Sequence, residues 1–315
     1  MPPRVRKKHA DAVKRARKRM IRTLDKAIAD GSGQAPGVGK RVAAGAEKAN
    51  GIAAVRAATK AARGDIDRAM RRIERAAEEA AAIGVSVGLA MAGDLEGDAV
   101  APKDPYGPRR AGKPYADGVP LSRRASATLR AAVAAGATAG IRFRAAAKAV
   151  RAVRTGDPAT YAERVRAASV GGGPAVRAEV AAHLRRMEEL AEAGRGTSAE
   201  LARFRREVER VAREEARAVT AEATAARWAA RTKALAMAEV AGAFSDGMVA
   251  TLAGSKRLLG WRWSLSPSHK FKDICDEYAD GSSPGMPRGV YLEGELPPLP
   301  PHPGCLCWVT PVEES

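Results

Sequence analysis

From Thr197 to about residue 235 the chain repeats small and apolar side chains every three or four positions. Leu201, Phe204, Val208, Ala212, Ala216, Val219 and Ala223 keep to one stripe, with arginine and glutamate on the opposite face. A period of 3.6 residues predicts an amphipathic α-helix. Thr197 followed by Glu200 has capping-box spacing, in which each side chain satisfies a backbone donor of the other, and it predicts where this helix begins. Much of the stripe is alanine. Apolar residues make up 45% of the 315, yet aromatics are only 4%. Alanine buries little area per residue, so the expectation is thin helix-on-helix packing, extended or dependent on assembly, in place of one thick core.

The same period recurs upstream. Over 4–30, Val13, Ala16, Met20, Ile21, Leu24 and Ile28 recur at helical spacing, and Arg4, Arg6, Lys7, Lys8, Lys14, Arg15, Arg17, Lys18, Arg19 and Arg22 surround them. This predicts an amphipathic helix with a basic face. The stretch 31–39 holds four glycines and Pro36, a combination that cannot continue a helix cheaply, and it reads as a flexible joint. It is not a phosphate loop, because no apolar strand precedes it and Lys40 is followed by Arg41. Helix is expected again over 42–92, broken near Asn50-Gly51 and Gly64. Proline and glycine over 93–120 predict an exposed linker. Helices follow over 121–154, over 175–193 after the break Gly171-Gly172-Gly173-Pro174, and over 236–253. The expected division is a basic helical region 1–92, a linker 93–120, a helical region 121–253 and a compact module 254–315.

The last sixty residues have a different character. Three of the four tryptophans lie there or at its start, and Trp261-Arg262-Trp263-Ser264-Leu265 alternates as a short strand does. Gly289-Val290-Tyr291-Leu292 and Leu306-Cys307-Trp308-Val309 are also short-strand candidates, and the intervening prolines and glycines forbid long helices. The fold class predicted is therefore mainly α, with long alanine- and arginine-rich helices and a small C-terminal α+β or irregular module.

Charge divides the chain in the same way. The formal net charge is +18; residues 1–72 hold 20 Lys and Arg against 6 Asp and Glu, a net of +14, while the last sixty hold 6 against 8, a net of −2. So large a local excess points to a polyanion such as DNA. Residues 1–72 contain no aromatic residue, so the contact expected is with the phosphate backbone, without sequence readout. A solvated face, or a helix docked on an acidic protein surface, would explain the same charge.

All three cysteines, Cys275, Cys305 and Cys307, and two of the four histidines, His269 and His302, lie in the C-terminal region. Thiolate and imidazole are the side chains that bind zinc, and a structural site usually takes four of them. Cys275, His302, Cys305 and Cys307 form such a set, with His269 as a substitute, and the ion would compensate for a small core. Another reading stays open. The cysteines also fit buried small hydrophobes or a disulfide formed after lysis, and His302 fits a turn held by a backbone carbonyl.

Trp261-Arg262-Trp263, Ser266-Pro267-Ser268-His269, Asp273-Ile274-Cys275 and His302-Pro303-Gly304-Cys305-Leu306-Cys307, read together, resemble the C-terminal signature of phage head-morphogenesis proteins of the Mu F-like minor head family. Ala238-Glu239-Val240-Ala241-Gly242-Ala243-Phe244 is similar to the family's preceding helix, so Glu239, Trp261, Trp263 and Asp273 are the expected structural motif. The resemblance covers 227–311. It implies a minor capsid component acting in head assembly and genome delivery, with portal and major capsid proteins and non-specific phage DNA as partners, in the virion head and, during assembly, the host cytoplasm. Many members carry Cys-x-x-Cys in the first half of the motif; here Tyr278 takes the second position, which excludes a four-cysteine site.

Alternatives from other classes are a nuclease or head maturation protease built from His269, Asp273 and the Cys/His cluster, and a zinc-knuckle DNA binder. His-Glu-x-x-His does not occur, and Asp273, Asp276, Glu277 and Asp280 beside Lys270 and Lys272 read as a solvated surface. The expectation is no catalysis and no small-molecule substrate. The apolar run 80–93 is interrupted by Gly84, Ser86 and Gly88 and falls short of the roughly 20 residues a membrane span needs, so no span is expected.

Overall fold

The computed structural model describes residues 6–49, 51–95, 101–110, 121–154, 156–302 and 304–314. Arg4, Asn50, Pro303 and most of the expected linker lie outside them. The protein is mostly helical. Its helices are α1 (Lys7–Gly33), α2 (Ala35–Glu47), α3 (Gly51–Ala61), α4 (Arg63–Ala92), α5 (Gly107–Arg110), α6 (Leu121–Ala152), α7 (Pro158–Ser169), α8 (Pro174–Glu192) and α9 (Ser198–Leu252). Strand β1 (Leu258–Ser264), helix α10 (Ile274–Asp280), and strands β2 (Val290–Tyr291) and β3 (Trp308–Glu313) complete the C-terminal module.

Several boundaries differ from those read in the sequence, for identifiable reasons. The expected joint at 31–39 is nearly all helix, interrupted at Gln34. Its glycines serve close packing: a Cβ on Gly39 would lie 2.3 Å from the carbonyl oxygen of Ala221. Helix α9 does not stop at 235, since Ala234-Leu235-Ala236-Met237-Ala238 contains no breaker. Glu200, expected to cap the start of α9, is engaged by other side chains. Its carboxylate accepts from His183 Nδ1, Arg186 Nε and Arg203 Nε at 2.8–2.9 Å. The part of the linker that is described contains α5, and Tyr106 and Arg109 there are 1% exposed.

The chain forms two compact units, each discontinuous in sequence, so a linear division at 93, 121 and 254 does not describe them. The first comprises Met1–Gly33, Ile66–Thr128 and Ala229–Ser315. In its core, Met20 and Leu24 of α1, Ile83 and Met91 of α4 and Phe244 and Met248 of α9 join Trp261, Trp263, Cys275, Cys305 and Cys307 of the module. The second comprises Gln34–Asp65 and Leu129–Trp228, and its core centres on Tyr161, Val165, Val180, Leu184, Phe204 and Val208. In this second unit the N-terminus of α8 is closed by Glu215, whose carboxylate accepts from Ala175 N at 2.5 Å. A negative charge there meets the positive end of the helix dipole.

Residues Arg63–Leu95 and Ser198–Leu252 are long and apolar enough, by length and composition, to cross a membrane, a longer apolar stretch than 80–93 alone suggests. Their apolar windows are 61% and 67% buried inside the protein, as core helices also are.

Alanine-rich helices gain contact by approaching until main chain meets main chain. A Cβ on Gly84 of α4 would lie 2.0 Å from the carbonyl oxygen of Phe244 on α9, and one on Gly247 of α9 would lie 2.3 Å from that of Ala81. No flexible side chain can yield there. Gly84→Val is therefore expected to lower unfolding free energy by about 3 kcal/mol in urea titration. Gly33→Ala, with nothing within 4 Å of the new methyl, is expected to change it by less than about 1 kcal/mol.

Candidate metal centre and basic helix face

The module is a three-stranded antiparallel sheet in the order β2-β1-β3. Trp261 pairs with Tyr291 on one side and Pro311 on the other. Proline is tolerated in β3 because that strand is an edge, where a missing N–H leaves no ladder bond broken. Trp261 and Trp263 are 0% and 4% exposed and carry the module's core, and Glu239 is buried on α9. Tyr278 supports this core instead of binding metal. Its ring meets Trp263 edge-on at 5.1 Å, and its carbonyl accepts from the Tyr291 hydroxyl at 2.8 Å.

Asp273 caps α10, accepting from Cys275 N at 2.7 Å, and Asp276 reaches back to Asp273 N at 2.8 Å. This capping box sets the first turn of a helix that the sequence reading left as loop. It also places Cys275, the second residue of α10, facing the core. The closing stretch from His302 to Cys307 returns to the same point. The Cys275 Sγ lies 3.4 Å from the Cys305 Sγ and 3.2 Å from the His302 Nε2. The sets His269, Cys275, Cys307 and Cys275, His302, Cys305 each bring their ligand atoms within 4.8 Å, as does His269, Asp273, Asp276 at the rim. All five residues singled out in the sequence are thus together, and such a group can hold a metal ion.

The thiols are all buried and free. Their proton affinities are set by one another. A hydrogen bond from Cys305, aided by the backbone N–H of Ser266, lowers the Cys307 thiol to about 6 despite its burial. Donating to Cys307 raises Cys305, and burial pushes Cys275 up to about 12. Cys307 is therefore the thiol of the three that ionises most readily. At the rim, His269 Nε2 lies 2.9 Å from Asp276 Oδ2; the pair raises the imidazole and lowers the carboxylate. His302 Nε2 also lies 3.2 Å from Asp273 Oδ2, so the Cys275 thiol and this carboxylate meet the same ring nitrogen.

Helix α1 covers the thiol side, and three of the basic residues singled out on it make contacts within the chain. Arg17 donates to Ser266 Oγ at 3.0 Å and to the Leu306 carbonyl at 3.3 Å, and its guanidinium lies 4.3 Å from the centre of the Trp308 ring. Arg6 pairs with Glu313 at 2.6 Å and Lys8 with Asp94 at 2.5 Å. Lys8 and then His9 hold Asp94 down at about 2. His9 is 1% exposed, with Nδ1 2.9 Å from Glu313 Oε1 and Nε2 3.0 Å from Asp94 Oδ2. Arg6 and Arg17 are thus partly buried against the fold, while Lys8 makes its ion pair at the surface. Lys7, Lys14, Arg15, Lys18, Arg19 and Arg22 form an exposed basic face.

Two buried polar centres escaped sequence reading. Arg109 donates to Asp246 at 2.7 Å and to the Leu299 carbonyl, fastening α9 to the module; it stood in an apparent linker. His183, 0% exposed in the second unit, accepts at Nε2 from the Tyr161 hydroxyl at 2.9 Å and stacks on Phe204 with ring centres 3.7 Å apart. Burial lowers its pKa, favouring the neutral ring. Its bracketing by Val180 and Leu184 at helical spacing was the available signal.

No family model, curated protein or solved structure matches this chain.

The thiol geometry gives a titration to measure. In reduced, metal-free protein, thiolate absorbance at 240 nm is expected to rise with a midpoint near pH 6 for one thiol only. Because that pKa is depressed from 9.0, the thiolate's contribution to stability is present above pH 9 and is lost as pH falls through 6. Cys305→Ala should move the midpoint up toward 9, and no thiolate signal below pH 8 in the parent protein would contradict the arrangement.

Proposed function

We propose that this chain is a structural minor head protein of a tailed phage, of the Mu F-like type its C-terminal residues resemble, with a module tied by one structural zinc ion. The observation that carries the reading is the pair of overlapping groups, Cys275, His302, Cys305 and His269, Cys275, Cys307, which share Cys275 and whose three thiols are at most 5% exposed. Three thiols and an imidazole fit the donor preference of zinc, and a filled set of four leaves no coordination position for a substrate. His269 is next in reach. When bound, zinc supplies a cross-link between α10 and the closing stretch that a core this small otherwise lacks. The exposed face of α1 is the surface for packaged DNA, held through phosphates. Portal and major capsid proteins are the expected partners, and the virion head is the expected location.

The rim set His269, Asp273 and Asp276 favours a second reading, a hydrolase centre. Its carboxylates already have a structural task in the capping box, which weighs against it. His269→Ala and Asp276→Asn separate the two readings, since an enzyme loses hydrolysis with assembly intact and a structural module loses folding or incorporation.

Co-expression with portal and major capsid proteins tests the assignment: the chain is expected in purified procapsids and heads, and its absence from both overturns it. Chelation tests the zinc. Removing metal from the reduced protein is expected to lower its melting temperature by several degrees, with recovery on adding zinc back. Cys305→Ser should abolish the difference.

A further inference from the structure

The second unit contains a basic cleft that the C-terminal resemblance does not touch. It has a volume of about 810 Å³. Arg144, Lys148 and Arg151 enter it from α6 and Arg213 from α9, with Glu47 and Glu209 as the only carboxylates among the lining residues. Spacings of four and three put the α6 cations on one helix face.

The charges in the cleft are not balanced as they are elsewhere on α9. Elsewhere on that helix, Arg210 is matched by two carboxylates, Glu207 and Glu214. In the cleft the ratio is reversed, because Arg151 and Arg213 share the single carboxylate of Glu209. Arg144 spends one N–H on the Ala49 carbonyl at 3.2 Å and keeps others to offer, and Lys148 has no ion-pair partner among the described residues. Four cations against two carboxylates leave an excess of two positive charges gathered in one concavity, a local potential that attracts an anion. The guanidinium fork suits tetrahedral oxyanions. The lining has no aromatic side chain, so nothing is present on which a base could stack.

We propose that this cleft between α6 and α9 binds phosphate groups, using Arg144, Lys148, Arg151 and Arg213, and that it takes the phosphodiester backbone of nucleic acid or a free phosphate compound. The ligand is recognised by charge and oxygen geometry, without sequence preference. The site stands independently of the basic face of α1, which belongs to the other unit.

The test uses the full chain, a 20-base-pair duplex over a series of salt concentrations, and inorganic pyrophosphate in calorimetry. Lys148→Glu/Arg213→Glu is compared with Lys14→Glu/Lys18→Glu, and Lys148→Gln/Arg213→Gln guards against a fold lost to charge reversal. If the cleft holds a nucleic-acid backbone, the neutral cleft variant weakens duplex binding by about tenfold and reduces the log–log salt slope by roughly 2. The α1 variant still shows the cleft's share. Loss of pyrophosphate binding with duplex binding unchanged assigns the cleft to a free phosphate ligand. Cleft variants that match the parent in duplex affinity, salt slope and pyrophosphate binding overturn the proposal, as does a parent protein that binds neither probe.

Discussion

Direct contact between helix backbones is the constraint on which the rest of this protein depends. With so few aromatic side chains, large interdigitating groups cannot supply the core, and dispersion has to come from many short contacts. Glycine and alanine allow that approach. Gly84 and Gly247 place α4 and α9 against one another within the first unit, and Gly136 and Gly140 of α6 lie against Thr224 and Thr220 of α9 within the second. Any added carbon at these positions meets main chain or a buried threonine. Such an interior has little tolerance for change in volume.

The C-terminal module inherits its order from these helices. Its sheet is small, with β2 only two residues long, and a sheet of that size is marginal by itself. Burial against α1, α4 and α9 provides what it lacks. Arg17 ties α1 to the stretch carrying Cys307, Arg109 ties α9 to Leu299, and the His9 and Glu313 contact closes the far edge. These contacts close the module around the buried thiols, whose unequal proton affinities follow from burial and from their bonds to one another. A zinc ion at that place would complete a scaffold already assembled around it.

Helix positions in this chain were legible because alanine periodicity and the absence of breakers are local properties. Even so, Gly31 to Gly39 read as a joint, since the sequence cannot reveal that a glycine faces a neighbouring backbone. Strand positions were legible to within about four residues, because Trp261 and Trp263 alternate with polar neighbours. The Cys/His cluster could be read from residue types, and its geometry came from a capping box at Asp273 that resembled a charged loop. Arg17 could not be separated from the other basic residues of α1. Its task is defined by Trp308 and Leu306, some 290 positions away, and only tertiary structure brings them together. The same holds for Arg109 and for His183.

The central claim is that three thiols and one imidazole of the module form a single metal site. Zinc K-edge X-ray absorption on the purified, reduced protein tests it most directly. The account predicts about one zinc per chain, with a first shell of three sulfurs at about 2.3 Å and one nitrogen at about 2.0 Å. Less than half an equivalent of zinc, or a first shell made only of oxygen and nitrogen, would contradict it.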